Sequence, residues 1–351
     1  MTRVRSFSGI KKSGRSFWVD LVTIPQLSPV KDLPRSNCAV MSAGIDMHAI
    51  ITACANRKHH NADFGTTGRN LPYGSLSDVS AEWKSRLSVA PDVSVARDLY
   101  GGRSFSLAVS AAACAKAKLY IVSAGLGFLT SEQSVPAYDL TVSAGSVDCV
   151  LNHIKPSASA AEWWQTLIDP DELRATLRST GGLILIAVGA AYLKMLEPVL
   201  LGLPDETVER LRIFAGSATS TLSGRLAGQI LPYDARLDGP QSPIRGTMID
   251  FASRALHHFA TTVVTEQPHG SVASHAKQVE SILMAWSRPS VSSGVRRSDA
   301  DIKTLLRQHW DRTGGSTGRL LRVLRDELAV ACEQKRFSRL AGEVRSEGSL
   351  A

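Results

Sequence analysis

Residues 118–139 read KLYIVSAGLGFLTSEQSVPAYD, and the way that stretch begins decides the fold. Leu119, Tyr120, Ile121 and Val122 form an apolar run too short for a helix and bounded by small residues. That is the pattern of a strand buried on both faces of a parallel sheet. The SAGLG that follows at 123–127 lets the backbone turn sharply and approach a ligand without side-chain obstruction. Phe128, Tyr138 and Asp139 then bring aromatic and acidic groups behind the turn. A strand ending in small residues, with rings and a carboxylate after it, suits a pocket floor. An ordinary strand-to-loop turn has the same appearance.

Outward from there the pattern repeats. AIITAC at 49–54 is a second buried-strand run, ending in ANRKHH at 55–60. Residues 61–80 are rich in Gly, Asn, Ser and Asp and read as a loop, with a helix over 81–87. ARDLYGG at 96–102 precedes an alanine-rich helix over 103–117. Strand, loop, helix and strand make a βαβ unit, whose crossover is expected to be right-handed. A helix over 157–178 carries Trp163 and Trp164 and the acidic Asp169, Asp171 and Glu172. LILIAV at 183–188 is the third strand, ending at Tyr192 and followed by a helix over 193–201. LRIFA at 211–215 is the fourth, ending at Gly216 and Ser217. Short apolar strands alternating with helices predict an α/β layer architecture around a mainly parallel sheet. A proline-containing loop over 231–246 and a covering helix over 245–264 complete this part.

The expected organisation is an arm at 1–45 with an edge strand at 17–24, an α/β domain at 46–286, a linker at 287–298 and a helical module at 299–351. In the last, Ile302, Leu305 and Leu306 share one face of a helix over 301–310. TGGST at 313–317 makes a turn in which Ser316 or Thr317 can cap a second helix over 317–333. That helix places Leu320, Leu321, Leu324 and Leu328 inward and Arg319, Arg322 and Arg325 together outward, and 334–344 adds a third element. From Arg296 to Arg345 there are twelve Lys or Arg against seven Asp or Glu. Two short helices around a glycine turn, the second basic, match a helix-turn-helix-like DNA-binding module. A small bundle with a solvated basic face has the same pattern.

The whole chain of 351 residues carries forty basic and thirty-two acidic side chains, a net +8 and a pI near 9.4, which suits a polyanionic partner. Five scattered cysteines, with no C-x-x-C pair, support neither a disulfide framework nor a zinc knuckle. His59-His60 and His257-His258 lack partners at ligand spacing and are expected at the surface, so no metal is expected. No cofactor is expected either, because Walker, nucleophile-elbow and dinucleotide-binding fingerprints are absent. The apolar run at 183–203 is interrupted by Gly189, Lys194, Glu197 and Pro198 and reads as strand plus helix, not a membrane span. With no signal-peptide pattern at the amino terminus, a cytoplasmic setting is expected.

Open parallel sheets bind ligands beyond the carboxyl ends of their strands. The loops there bring Asn56, Arg57 and Lys58 from the first strand, Ser123, Gly125, Gly127 and Phe128 from the second, and Tyr192 and Ser217 from the others. Asp98, Asp139 and Asp234 each lie near a tyrosine. A carboxylate so placed can orient water or stabilise positive charge growing on a sugar during glycosidic cleavage. The Asn56 amide can position that water, since it both donates and accepts. Arg57 and Lys58 suit a phosphate, and Tyr100, Phe128 and Tyr138 can stack on a flipped base. Each has a structural alternative: Asp98 as a helix cap, Asp139 as a loop anchor, Tyr100 as core.

CANRK at 54–58, ARDLYGG at 96–102, and YIVSAGLGFL at 120–129 running to PAYDLT at 136–141 together resemble the bacterial YaaA-related peroxide-stress family. That family carries a C-x-x-x-K stretch, an ARDLY-like segment and a YILSAKxGLL…PYDLTL segment in the same order. The resemblance covers roughly residues 50–141. It implies a three-layer fold related to uracil-DNA glycosylases, which include antiviral base-excising enzymes of prokaryotes. It also implies a pocket at the strand ends, with Asn56 where such glycosylases hold the residue that activates water. A lysine common in the family is Gly125 here, which removes a charge and is expected to open space for a base. The glycosylase signature motifs themselves are absent. The expected function is therefore a DNA glycosylase that flips and excises a modified base, with phage defence as its setting. A non-catalytic DNA-binding stress protein and a nucleotide-processing enzyme are the alternatives.

Overall fold

In the computed structural model, which describes residues 47–215, 222–289 and 294–348, the first apolar run forms β1 (Ala49–Ala53). Its Ile50 and Ile51 are wholly buried on opposite sides of the sheet. The arm at 1–45 with its edge strand, Cys38, and Gly216 with Ser217 lie outside the described residues. A capping box between Ser75 and Asp78 starts α1 (Leu76–Val89), which begins five residues earlier than its apolar pattern suggests. Then come β2 (Asp92–Val95), α2 (Ala96–Leu99), α3 (Arg103–Cys114) and β3 (Lys118–Ser123). β1 and β3 pair in parallel, Ile50 opposite Leu119, as the βαβ reading requires.

The stretch after β3 is not a plain loop. Gly127, at φ +75°, opens a hairpin whose second arm, β4 (Gly127–Thr130), runs antiparallel to β3 with Val122 opposite Phe128. β5 (Ser134–Pro136) leaves the sheet to pair with β2. The helix expected over 157–178 is two, α4 (Ala160–Gln165) and α5 (Pro170–Arg178). Asp169 caps Asp171 and Glu172 ahead of Pro170, which suits only a first turn. β6 (Ile184–Ala187), α6 (Ala190–Leu201), α7 (Asp205–Val208), β7 (Leu211–Ile213) and α8 (Gly224–Ala227) follow. The central sheet has the order β4-β3-β1-β6-β7, with all pairs parallel except β3 with β4. No helix among the described residues is long and apolar enough to cross a membrane.

Helices cover both faces. Trp83 of α1, Trp163 and Trp164 of α4, Leu173 and Leu177 of α5, and Leu196 of α6 pack on one. On the other lie Ala108, Ala111 and Ala112 of α3 with α9 (Phe251–His258), which continues as a π turn (Phe259–Val263) into α10 (Val264–Glu266). The alanines let α3 lie close to the sheet. α11 (Val272–Met284), which periodicity had not separated from its surroundings, adds Val279 and Leu283 to this face. The long loop before α9 is fixed by Arg254, wholly buried, which pairs with Asp238 at 2.7 Å and Asp250 at 2.8 Å.

A separate core closes the carboxy-terminal module around Ile302, Leu306, Leu320, Leu324, Phe337 and Leu340. β8 (Val295–Arg296) precedes α12 (Asp299–His309), which Ser298 caps. Gly314 and Gly315 turn the chain at φ +59° and +66°, and Ser316 takes the N-cap position of α13 (Thr317–Arg322) without a side-chain cap bond. The second helix is shorter than its pattern suggests. It passes into a π turn over Val323–Glu327, Ala329 takes φ +48°, and β9 (Val330–Ala331) pairs in parallel with β8 before α14 (Gln334–Gly348).

Candidate functional site

In this sheet the chain leaves β1 toward β3 on one side and leaves β6 toward β7 on the other. Connections that diverge in this way leave room at the carboxyl ends of the two strands between them. Cys54, after β1, meets Tyr192, after β6, at 3.2 Å from Sγ to hydroxyl.

The segment after β1 is sewn to the chain ahead of α3. Lys58 and Tyr100 form an antiparallel bridge, with His59 N donating to Leu99 O and Gly101 N to Arg57 O, each at 2.9 Å. This draws the Lys58 side chain inward until it is only 8 % exposed. Its ammonium lies 4.6 Å from the centre of the Tyr138 ring and donates to Asp139 Oδ1 at 3.4 Å. The Asp139 side chain remains 45 % exposed, so the pair presents a carboxylate outward and buries its cation. A cation over a desolvated ring gains up to about 2 kcal/mol, which offsets part of the cost of burying it. Asp139 is also fixed through its backbone. Its N–H donates to Thr66 O at 2.8 Å and its carbonyl accepts from Gly68 N at 2.6 Å. The neighbouring Arg69 grips Asp148 through Nε at 2.7 Å and Nη2 at 2.5 Å, and that fork holds the Asp148 carboxyl below its ordinary pKa.

Beneath the pair runs a chain of hydroxyls. Ser123 Oγ accepts from Gly125 N at 3.2 Å and Leu126 N at 2.9 Å. Its own proton is thereby directed to the Tyr138 hydroxyl at 2.7 Å, and Tyr138 donates onward to Tyr100 at 3.0 Å. Burial, and then the nearby Cys54, raise the pKa of Tyr100, Tyr138 and Tyr192 above the ordinary phenol value, so all three are neutral hydrogen-bonding groups. The turn is held from the other side by three indoles. Trp164 Nε1 donates to Ser123 O at 3.1 Å, Trp163 to Ala124 O at 2.8 Å and Trp83 to Gly125 O at 2.6 Å. Three successive carbonyls that the turn would otherwise leave buried and unpaired are satisfied by these tryptophans.

Of the residues singled out in the sequence, Lys58, Tyr100, Ser123, Tyr138 and Asp139 converge here. Asn56 and Arg57 are exposed just ahead of Lys58, with no side-chain hydrogen bond among the described residues. Others stand elsewhere. Asp98 is exposed and paired with Arg97 at 3.7 Å. Asp234 caps its own turn through Arg236 N and Nε, both at 2.9 Å. Phe128 stacks on Tyr120 at 5.0 Å. Arg319 and Arg322 are exposed without a partner among the described residues, while Arg325 donates to Cys332 O at 3.0 Å.

Three expectations need correction. Gly125 does not open space, because a Cβ there would lie 2.6 Å from the Tyr138 ring and 3.3 Å from Trp83. At Gly127 a Cβ would meet Leu167 O at 2.7 Å. The room these glycines leave is filled by the protein's own side chains and backbone, and Tyr100 and Tyr138 are too buried to offer a face to a base. His258 is not at the surface either. It is buried against the Tyr233 hydroxyl at 2.8 Å, and burial with His257 nearby lowers its pKa to about 4. The sequence carries no signal for the Trp83 bond to Gly125 O, and it marks Cys54 only as the first residue of CANRK. Comparison with known protein families, with curated proteins and with solved structures gives no match.

Proposed function

We propose that the protein is a DNA N-glycosylase of uracil-DNA-glycosylase-like fold, which hydrolyses the glycosidic bond of a flipped, modified base. The observation that carries the reading is the Lys58–Asp139 pair, a half-exposed carboxylate with a buried cation behind it, with the exposed Asn56 two residues ahead of Lys58 in the chain. In the reaction Asn56 positions the attacking water. Asp139 accepts its proton or stabilises the positive charge that spreads over the sugar ring as the bond breaks. Arg57 contacts the flanking phosphate. The tyrosines and Ser123 do not touch the base; they hold Lys58 and Asp139 in position. The carboxy-terminal helices, read as helix-turn-helix-like, add DNA affinity through Arg319 and Arg322.

The test is release of free base, with matching abasic sites, from phage genomic DNA carrying modified bases. Asp139→Asn is expected to slow release by roughly 100-fold or more, and Asn56→Ala by a similar factor, with DNA binding retained. Protein that binds such DNA but releases no base from any of it would overturn the proposal in favour of a non-catalytic binder.

A further inference from the structure

The aromatic residues that rank as exposed among the described residues are Phe64, 80 % exposed, and Tyr73, 71 % exposed. Both sit in the loop that fastens Asp139. Phe64 belongs to a 3-10 turn over Phe64–Thr66, and its carbonyl accepts from Thr67 Oγ1 and Asn70 Nδ2, each at 2.9 Å. The Tyr73 ring stacks on the buried ring of His153, with centroids 4.8 Å apart and planes 24° apart. The backbone beside it is tied down by Gly74 N to His153 O at 3.0 Å and Lys155 N to Gly74 O at 2.8 Å. Each aromatic is therefore exposed on a backbone that is held in place.

Cations sit on the same hydrogen-bonded segments. Arg69 spends Nε and Nη2 on Asp148, and its Nη1 has no partner among the described residues, while its side chain is 53 % exposed. Lys155 is exposed, with no side-chain partner among the described residues. Open aromatic faces interleaved with cations, on a rigid loop, match the requirements of an unpaired polynucleotide. Every base has a π-face to stack, and every step carries a phosphate.

We propose that Phe64 and Tyr73, with Arg69 and Lys155, form a stacking platform for unpaired nucleotides of a DNA strand. The backbone bonds from Thr66 and Gly68 to Asp139 make the platform continuous with the site, so a strand lying on it leads to the carboxylate. The inference rests on the proposed function only in taking DNA as the polymer.

The experiment measures binding of the full-length protein to a labelled single-stranded oligothymidylate across a salt series. The double variant Phe64→Ala/Tyr73→Ala is expected to bind roughly 10- to 1000-fold more weakly at an unchanged salt slope. Tyr73→Phe and Phe64→Trp keep their ring faces and should bind like the wild type, which separates stacking from a fold defect. Lys155→Ala should reduce the slope by about 0.7, the share of one phosphate on a single strand. Unchanged binding of the double variant overturns the platform. So does capture by anionic phosphatidylserine vesicles that the double variant loses while its DNA binding stays intact, which would make the patch a membrane contact. Loss of oligothymidylate binding by the double variant, with no base release from any DNA by the wild type, supports the platform and removes the glycosylase. Base release by a double variant with unimpaired binding does the reverse.

Discussion

Two groups of aromatic residues lie on the segments that hold Lys58 and Asp139 and are used in opposite ways. On the inner side, Trp83, Trp163, Trp164 and Tyr138 are buried with their polar atoms on Ser123, Ala124 or Gly125, and the buried Tyr100 reaches the same stretch through the Tyr138 hydroxyl. On the loop that fastens the Asp139 backbone, Phe64 and Tyr73 leave their rings exposed on a backbone that is also hydrogen-bonded in place. The buried set builds the wall that holds Lys58 and Asp139, and the exposed set is open to a partner. Residue type does not separate them. What separates them is whether the ring's polar atom and both faces are already used within the protein.

The largest expected effect comes from removing an indole of the inner set. Trp163→Ala should cost about 3–5 kcal/mol in urea unfolding, since it empties a core site and leaves Ala124 O unpaired. A cost below about 1 kcal/mol would mean that the turn is not held by its tryptophans. The phenols give the next effect. A tyrosine whose pKa is raised by folding stabilises the protein below the ordinary phenol pKa, and that contribution fades as the unfolded chain loses its proton above it. Each of Tyr100, Tyr138 and Tyr192 should then destabilise the fold by about 1.4 kcal/mol per pH unit above roughly pH 10. Denaturant melts between neutral and alkaline pH check this, and a flat profile would place these hydroxyls in water. Gly125→Ala follows, at about 1–3 kcal/mol, because its methyl has to displace the Tyr138 ring. The smallest effect belongs to the outer set. Phe64→Ala should leave stability within about 0.5 kcal/mol, and a larger loss would show that its ring is part of the fold after all.

Much of this was legible from the chain. The strands at 49–54, 118–123 and 183–188 announced themselves because central parallel strands are buried on both faces and read as short, largely apolar runs. The run at 211–215 reads the same way although Arg212 interrupts it at the sheet edge. β4 was missed because GLG reads as a loop, and only the pairing with β3 shows that Gly127 opens an edge strand. Lys58 was singled out by counting strand ends, and Tyr138 and Asp139 as the ring and carboxylate that follow the turn at 123–127; the structure brings the three side chains together. Gly125 was misread because a glycine's freedom can serve a ligand or a neighbouring ring, and sequence does not say which stands there.

By itself the sequence determined the alternation of strands and helices, the parallel core of the sheet and the loops that reach its carboxyl ends. These follow from local periodicity and from the short reach of the chain. The tertiary structure alone decided that Lys58 is buried over Tyr138, that three indoles satisfy three successive carbonyls, and that Phe64 and Tyr73 remain uncovered. Each depends on groups distant in the chain competing for the same polar atom or ring face, and that competition is settled only when the layers pack.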